Sequence, residues 1–294
     1  MILVTGAGGQ AGTAVLRALA ARGQPVRALV RSPHTAEQAR SAGAREIVIG
    51  DMTRADDVEA AARGVRAICH ITPSQSGDEA RMAQCVIAAA QANGVERLVY
   101  FGSINLRVET DQHRDKLRTE TAIVESCLPY TFLHPSKFMQ GILPLWRDIA
   151  ERGVFRVPYS VTSPLARIDT ADLGEAAAAV LTEPGHLGAT YELVGQPPIS
   201  EAEVCELLAA RLGRPARAEA IPADEWAHTA AARGAGAEQI RRSLQMFDFF
   251  SRIGSPHEST HTLSWLIGRP PTDFRAFIER LVAEKSRPTE GIPG

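Results

Sequence analysis

No run in this sequence reaches the roughly 18 consecutive apolar residues of a membrane-spanning helix, and its start, Met-Ile-Leu-Val-Thr-Gly, carries no basic leader. Neither export nor membrane insertion is expected, and the expected location is the cytoplasm. Charge of one sign is also missing. A formal net charge of -2 supplies no basic field for nucleic acid or an anionic membrane. Lysine is scarce, at positions 116, 137 and 285 alone, with arginine supplying the other basic side chains. No CxxC pair occurs among Cys69, Cys85, Cys127 and Cys205, each in or beside an apolar run, so buried thiols in a reducing compartment are expected. There is no internal repeat and no low-complexity block.

What is present is a core-forming composition, 45% hydrophobic and 22% charged over 294 residues. Up to about residue 135, short apolar runs alternate with amphipathic stretches, the pattern of a parallel sheet wrapped by helices. Strands are read at Ile2 to Thr5, Val26 to Val30, Glu46 to Ile49, Ala67 to Ile71, Leu98 to Phe101 and Thr131 to His134. Helices are read at Ala11 to Ala21, Pro33 to Ala42, Ala55 to Ala62, Asp78 to Asn93 and Asp111 to Ser126. After Pro135 a helix over Gly141 to Arg152 and a polar segment from Val157 to Pro164 are expected. A helix over Asp169 to Leu181, opened by Asp-Thr-Ala-Asp, and a strand over Thr190 to Val194 should rejoin the first domain. Helices then follow at Ser200 to Leu212, with a capping box of Ser200 and Glu203, at Ala237 to Arg252 and at Asp273 to Lys285. The Pro- and Gly-bearing tail, 286–294, is expected to be loose. The fold class is α/β: a Rossmann doubly wound parallel sheet (1–152 and 165–195) with a smaller, mainly helical C-terminal substrate lobe (153–164 and 196–294).

The first strand runs into Gly6-Ala7-Gly8-Gly9-Gln10-Ala11-Gly12, with the next helix directly behind it. A glycine-rich turn in that setting suits a dinucleotide pyrophosphate. Gly6 permits the tight exit, Gly9 lets backbone N–H groups approach phosphate oxygens, and Gly12 lets the helix sit close to the strand. The helix N-terminus adds a favourable dipole. A carboxylate at the end of the second strand would hold a ribose 2′-hydroxyl and select NAD. Between Gly12 and Glu37 there is no Asp or Glu, and Arg31 closes that strand with a planar fork suited to a 2′-phosphate, so NADP(H) is the expected cofactor. Asp51-Met52 after the third strand and Thr72-Pro73-Ser74 after the fourth lie where open α/β sheets bind ligands and should flank the adenine and riboses. Asp51 has an equal alternative as the cap of the following helix.

The Thr5 to Gly12 turn, with Val26-Arg27-Ala28-Leu29-Val30-Arg31, Leu98-Val99-Tyr100-Phe101-Gly102-Ser103, Leu128-Pro129-Tyr130-Thr131-Phe132-Leu133-His134-Pro135, Tyr191-Glu192-Leu193-Val194-Gly195 and Gly268-Arg269-Pro270-Pro271, resembles the NmrA-like family of atypical short-chain dehydrogenases. That family includes quinone reductase-like enzymes, azo and triphenylmethane dye reductase-like enzymes, and redox-sensing regulators. In it the residue after the Leu of the sixth strand is commonly Arg, where this chain has His134. The resemblance implies that Pro135 and the loop Lys137, Phe138, Met139 and Gln140 border the nicotinamide.

Ordinary short-chain dehydrogenases pair a Tyr with a Lys four residues later. This chain has Gln112 four residues before Lys116, and none of Tyr100, Tyr130, Tyr159 and Tyr191 stands in that relation to a lysine. What remains is Lys116, with His113 three before and Glu120 four after on one helical face, and Ser103 at the end of the fifth strand. Lys116 is read as a ribose and nicotinamide anchor and His113 as a proton donor to the substrate, against the alternative of a solvated Lys-Glu face. His257-Glu258-Ser259-Thr260-His261 matches the HExxH zinc pattern, but after Gly254-Ser255-Pro256 and with Ser and Thr inside it reads as a polar loop, so no metal is expected. The resulting expectation is an NADPH-dependent oxidoreductase reducing a small conjugated acceptor (quinone, enone or imine) by direct hydride transfer. A non-catalytic NADP(H)-sensing regulator is the competing reading. An open apolar cleft beside the nicotinamide would favour the enzyme and a filled one the sensor. A small-molecule substrate is the expected partner, and monomer and homodimer both fit.

Overall fold

The computed structural model describes residues 1–255 and 259–285. Through the first half, strands and helices alternate strictly: β1 (Ile2–Val4), α1 (Gln10–Ala21), β2 (Val26–Val30), α2 (Pro33–Ser41), β3 (Glu46–Ile49), α3 (Ala55–Ala62), β4 (Ala67–His70), α4 (Glu79–Ala92), β5 (Arg97–Phe101), α5 (Asp111–Glu125) and β6 (Tyr130–Pro135). There follow β7 (Lys137–Phe138), a 3-10 helix (Met139–Leu145), α6 (Trp146–Arg152), β8 (Val154–Val157), β9 (Leu165–Ile168), α7 (Thr170–Thr182) and β10 (Thr190–Leu193). The remainder comprises β11 (Gln196–Ile199), α8 (Glu201–Leu212), β12 (Arg217–Ala220), α9 (Ala223–Ala232), α10 (Ala237–Arg252), α11 (His261–Ile267) and α12 (Phe274–Lys285).

Seven strands make one parallel sheet in the order β10-β6-β5-β4-β1-β2-β3. The chain reverses its direction of travel across the sheet between β1 and β4, which opens a crevice at their C-terminal ends. Alternation along β1 shows how both faces are covered. Ile2 and Val4 pack with Val15, Leu16 and Leu19 of α1 and Leu173 of α7, whereas Leu3 packs with Val58 of α3 and Val86 of α4. α7 packs on the same face of the sheet as α1, and β10 extends the sheet beside β6.

A third core joins Met139, Ile142 and Ile149 to Phe155, Val157, Leu165, Val204, Leu208, Phe274 and Phe277. By packing, the 3-10 helix and α6 therefore belong to the second lobe, a correction to the expected boundary at 152. The single helix expected over 141–152 is also two pieces, because Pro144 lies inside the 3-10 turn and has no N–H for an α-helical bond. Among the described residues, five short strands outside the main sheet, β7, β8, β9, β11 and β12, escaped the sequence reading. β11 contains Pro197 and Pro198 and sits at the edge of the β11-β9-β7 sheet, where missing donors are tolerated, and β12 pairs with β8.

All four cysteines are free, but only Cys69 and Cys205 are buried. Cys127, in the left-handed turn (φ 58°) between α5 and β6, is exposed and Cys85 of α4 is half-buried, which corrects the expectation for those two thiols. Of the HExxH stretch, residues 257 and 258 lie outside the described residues, as does the tail 286–294, and α11 begins at His261. Among the described residues no helix is long and apolar enough to cross a membrane.

Candidate active site

A cavity of about 750 Å³ lies over the C-terminal ends of β1, β2, β4, β5 and β6 and is closed from the other side by α10 of the lobe. Gly6, Gly8, Gly9, Gln10, Ala11 and Gly12 line one end. Gly6 has φ +59°, and a Cβ there would stand 2.4 Å from the Ile71 carbonyl oxygen; a Cβ on Gly12 would stand 2.3 Å from that of Gly6. Both positions exclude a side chain, so the turn stays tight against β4. Gly9, the N-cap of α1, provides no side-chain cap, and the first turn of α1 holds no acidic residue. Its leading N–H groups lack intrahelical partners, and a pyrophosphate would satisfy them. Arg31 is exposed at the end of β2 and lines the same end. These residues fit an NADP(H) molecule in charge, shape and hydrogen-bonding need.

Other expected residues fall into two groups. Met52, Thr72, Pro73, Ser74, Ser103, His113, Lys116, Pro135, Lys137 and Phe138 line the cavity. Ala7, Asp51, Met139 and Gln140 do not. Ala7 is fully buried in the core beneath the turn. Asp51 Oδ1 accepts from Thr53 N and Oγ1, both at 2.8 Å, so it closes a local turn, and the cap of α3 is Arg54. Met139 is fully buried in the lobe core, while Gln140 Nε2 donates to Asp169 Oδ1 at 2.7 Å.

Lys116 is buried, which removes the solvated-face alternative. Its Nζ donates to the Phe101 carbonyl at 3.0 Å and pairs with Glu79 Oε1 at 3.2 Å. Tyr100 donates its hydroxyl to the same Glu79 oxygen at 2.5 Å, and Thr72 does so at 2.8 Å. Burial alone would raise the Glu79 carboxyl; the Lys116 ammonium and the two hydroxyls outweigh it and hold it below the usual range. Burial, reinforced by the Glu79 charge, pushes the Tyr100 phenol well above its ordinary value. Glu120, expected beside Lys116, instead meets His134 Nε2 at 2.7 Å.

His113 is 1% exposed and meets Phe249 edge to face at 5.8 Å. Burial pushes its ring down to about 4, so it is neutral near pH 7 with Nδ1 unpartnered. The expected proton donor thus holds no imidazolium proton to give, because its surroundings penalise the charged ring.

Sequence reasoning missed the partners of Lys116 and the wall opposite the glycines. That wall is Ser243, Met246, Phe247, Phe249 and Phe250 of α10, with Ile104 and Leu165. Three of the nine phenylalanines of a chain only 5% aromatic stand between 247 and 250, a visible concentration. Lysine scarcity was a signal too: Lys116 and Lys137, two of the chain's three lysines, both line the cavity.

A parallel sheet with this strand order, a bare glycine turn at its switch point and a lobe closing over the crevice define a Rossmann-type protein with a two-ended cavity. The NmrA-like family model matches residues 1–279, and the chain belongs to that family. It is 34% identical over 281 residues to the (4-alkanoyl-5-oxo-2,5-dihydrofuran-3-yl)methyl phosphate reductase of Streptomyces griseus subsp. griseus, covering 94% of this chain and 95% of that one. It is 32% identical over 227 residues to the NAD(P)H azoreductase of Xenophilus azovorans, covering 76% and 78%. The solved structure of the NADPH-dependent quinone oxidoreductase QOR2 from Escherichia coli, complexed with NADPH, superposes with a TM-score of 0.80 at 26% identity, covering 96% of this chain and 100% of that one.

Proposed function

We propose that this chain is an NADPH-dependent oxidoreductase that reduces a small conjugated acceptor of quinone, enone or imine type by direct hydride transfer. The observation that carries this reading is the continuity of one cavity from the glycine turn to the aromatic wall of α10. Cofactor and a flat acceptor can share such a chamber. Reductases among the relatives support the same class of chemistry. Bound NADPH would supply the hydride. Gly6 to Gly12 and the N-terminus of α1 would hold its pyrophosphate, and Arg31 its 2′-phosphate. Lys116, immobilised by Glu79 and the Phe101 carbonyl, would orient the ribose beside Ser103. Phe247, Phe249, Phe250 and Met246 would stack on the acceptor and exclude water. Without a Tyr four residues before Lys116, the chain suits acceptors that take hydride at a conjugated atom and need little proton relay.

The competing sensor reading expects a filled cleft, and the open volume beside α10 weighs against it. Calorimetry with NADP+ and NADPH, together with NADPH oxidation assayed against quinones, azo dyes and α,β-unsaturated carbonyls, separates the two. Turnover with at least one acceptor class is expected; tight NADPH binding with no turnover across the panel would overturn the enzyme reading.

A further inference from the structure

Beneath the acceptor end of the cavity lies a cluster with more positive than negative charge. Lys137 of β7 pairs with Glu201 Oε1 at 2.9 Å, and Arg167 of β9 pairs with Glu201 Oε2 at 2.7 Å. The Tyr159 hydroxyl donates to Glu201 Oε1 at 2.6 Å and also meets the Lys137 ammonium. Lys137 Nζ lies over the Tyr159 ring at 4.4 Å and the Phe250 ring at 5.5 Å. Arg167 and Glu201 are buried to within 1% of completely. Within this cluster, Lys137 is the charged member that lines the cavity. One carboxylate cannot neutralise two cations in a medium of low dielectric, so the cluster favours either an incoming negative charge or loss of a proton.

The groups in the cluster differ in which can lose that proton. Burial works to raise the Glu201 carboxyl, yet Lys137 and Arg167 prevail and hold it at about 2, so it stays ionised. A guanidinium is too weak an acid to serve as a proton donor in a protein. Burial and the Glu201 charge push the Tyr159 phenol well above its ordinary value. Burial, with Arg167 adding to it against the pull of Glu201, brings Lys137 down to about 8. At the other side of the chamber Lys116 is tied to Glu79 and the Phe101 carbonyl, and the His113 ring is neutral.

We propose that Lys137 is the proton donor of the reduction, its ammonium facing the acceptor across the cavity floor. As hydride from NADPH forms a new C–H bond, or a new N–H bond on an azo acceptor, negative charge builds on the acceptor's conjugated heteroatom. One N–H bond of Lys137 breaks, one O–H or N–H bond forms at that heteroatom, and the neutral amine regains a proton from water through the open cavity. Tyr159 and Glu201 are positioning residues: they hold Nζ at the floor without exchanging its proton. The role rests on the reductase reading above.

Scarcity of lysine makes the test direct. Lysine labelled with 13C at Cε gives three resonances, and the one absent from Lys137→Arg reports this residue. It should titrate near 8. In a quinone or azo-dye assay, kcat/KM should fall as pH rises through about 8. Lys137→Arg, which keeps the charge but not a transferable proton, should lose about 10²-fold or more and shed that limb, with the NADPH affinity unchanged by calorimetry. A Lys137 midpoint near 10, or Lys137→Arg activity within threefold of the parent with the same limb, overturns the donor role and leaves the reductase reading standing. Failure of the parent protein to oxidise NADPH with any acceptor removes both. Should Lys137→Arg fold poorly, Lys137→Gln assigns the resonance and carries the same activity comparison.

Discussion

Replacing Glu79 probes the interior electrostatics that hold Lys116 at the cavity wall. The pair is separated by 3.2 Å with side chains only 9% and 5% exposed, so neither charge has water to fall back on. Surface pairs are worth roughly 0 to 1 kcal/mol, but stranding one member of a buried pair costs about 3 to 5 kcal/mol. Glu79→Ala also strips the acceptor from the Tyr100 and Thr72 hydroxyls, which places it at the upper end of that range. Glu79→Gln keeps an acceptor oxygen and should cost less than Glu79→Ala. Lys116→Met leaves Glu79 with its two hydroxyl donors and should be milder still. In Glu79→Gln/Lys116→Met no charge remains buried, and the loss should be smaller than the sum of the single losses. Urea unfolding followed by far-UV circular dichroism measures each value, provided the slope m is unchanged. Single losses below about 1 kcal/mol that add without coupling would refute the argument, because they would mean that Lys116 reaches solvent.

Arg31→Ala should weaken NADPH binding by about tenfold and leave NADH binding unchanged. A charge-assisted hydrogen bond contributes roughly 1.5 to 3 kcal/mol, reduced here by exposure to about 1.4 kcal/mol. Equal weakening of both cofactors in a fluorescence titration would remove the 2′-phosphate assignment. Stability should also fall on acidification below pH 6.5. Burial pushes His70 and His113 each from 6.5 to about 4, so the unfolded chain binds protons in that window that the folded chain refuses. Their contribution is therefore complete above 6.5 and is lost as the pH falls towards 4, up to roughly 3 kcal/mol for each ring. Glu79 and Glu201, held below the usual range, extend the loss at pH values under about 4.5. Equal urea midpoints at pH 6.5 and 4.5 would contradict this.

Much of the first domain was legible because its signals are local. Six strands, their intervening helices and the glycine turn each depend on residues within a few positions of one another. The second lobe was less legible. Its strands are two to four residues long, one carries adjacent prolines, and their pairing is with segments far along the chain. The packing of 139–149 with 274–281 is likewise invisible to periodicity, since an apolar stripe shows that a face is buried and not against what.

The sequence by itself determined the turn at Gly6 to Gly12, the absence of a carboxylate before Glu37 and the missing Tyr at position 112. Each depends on residue type at fixed spacing along a single strand, turn or helix. Tertiary structure decided which charges meet. Helical spacing offered Glu120 to Lys116, yet the fold delivers Glu79 from α4 and gives Glu120 to His134. It also sets Lys137 beside Glu201, 64 positions away, and brings the α10 aromatics over the crevice. The physical reason is that burial and charge pairing are properties of the assembled interior, where dielectric and neighbours are set by elements remote in the chain.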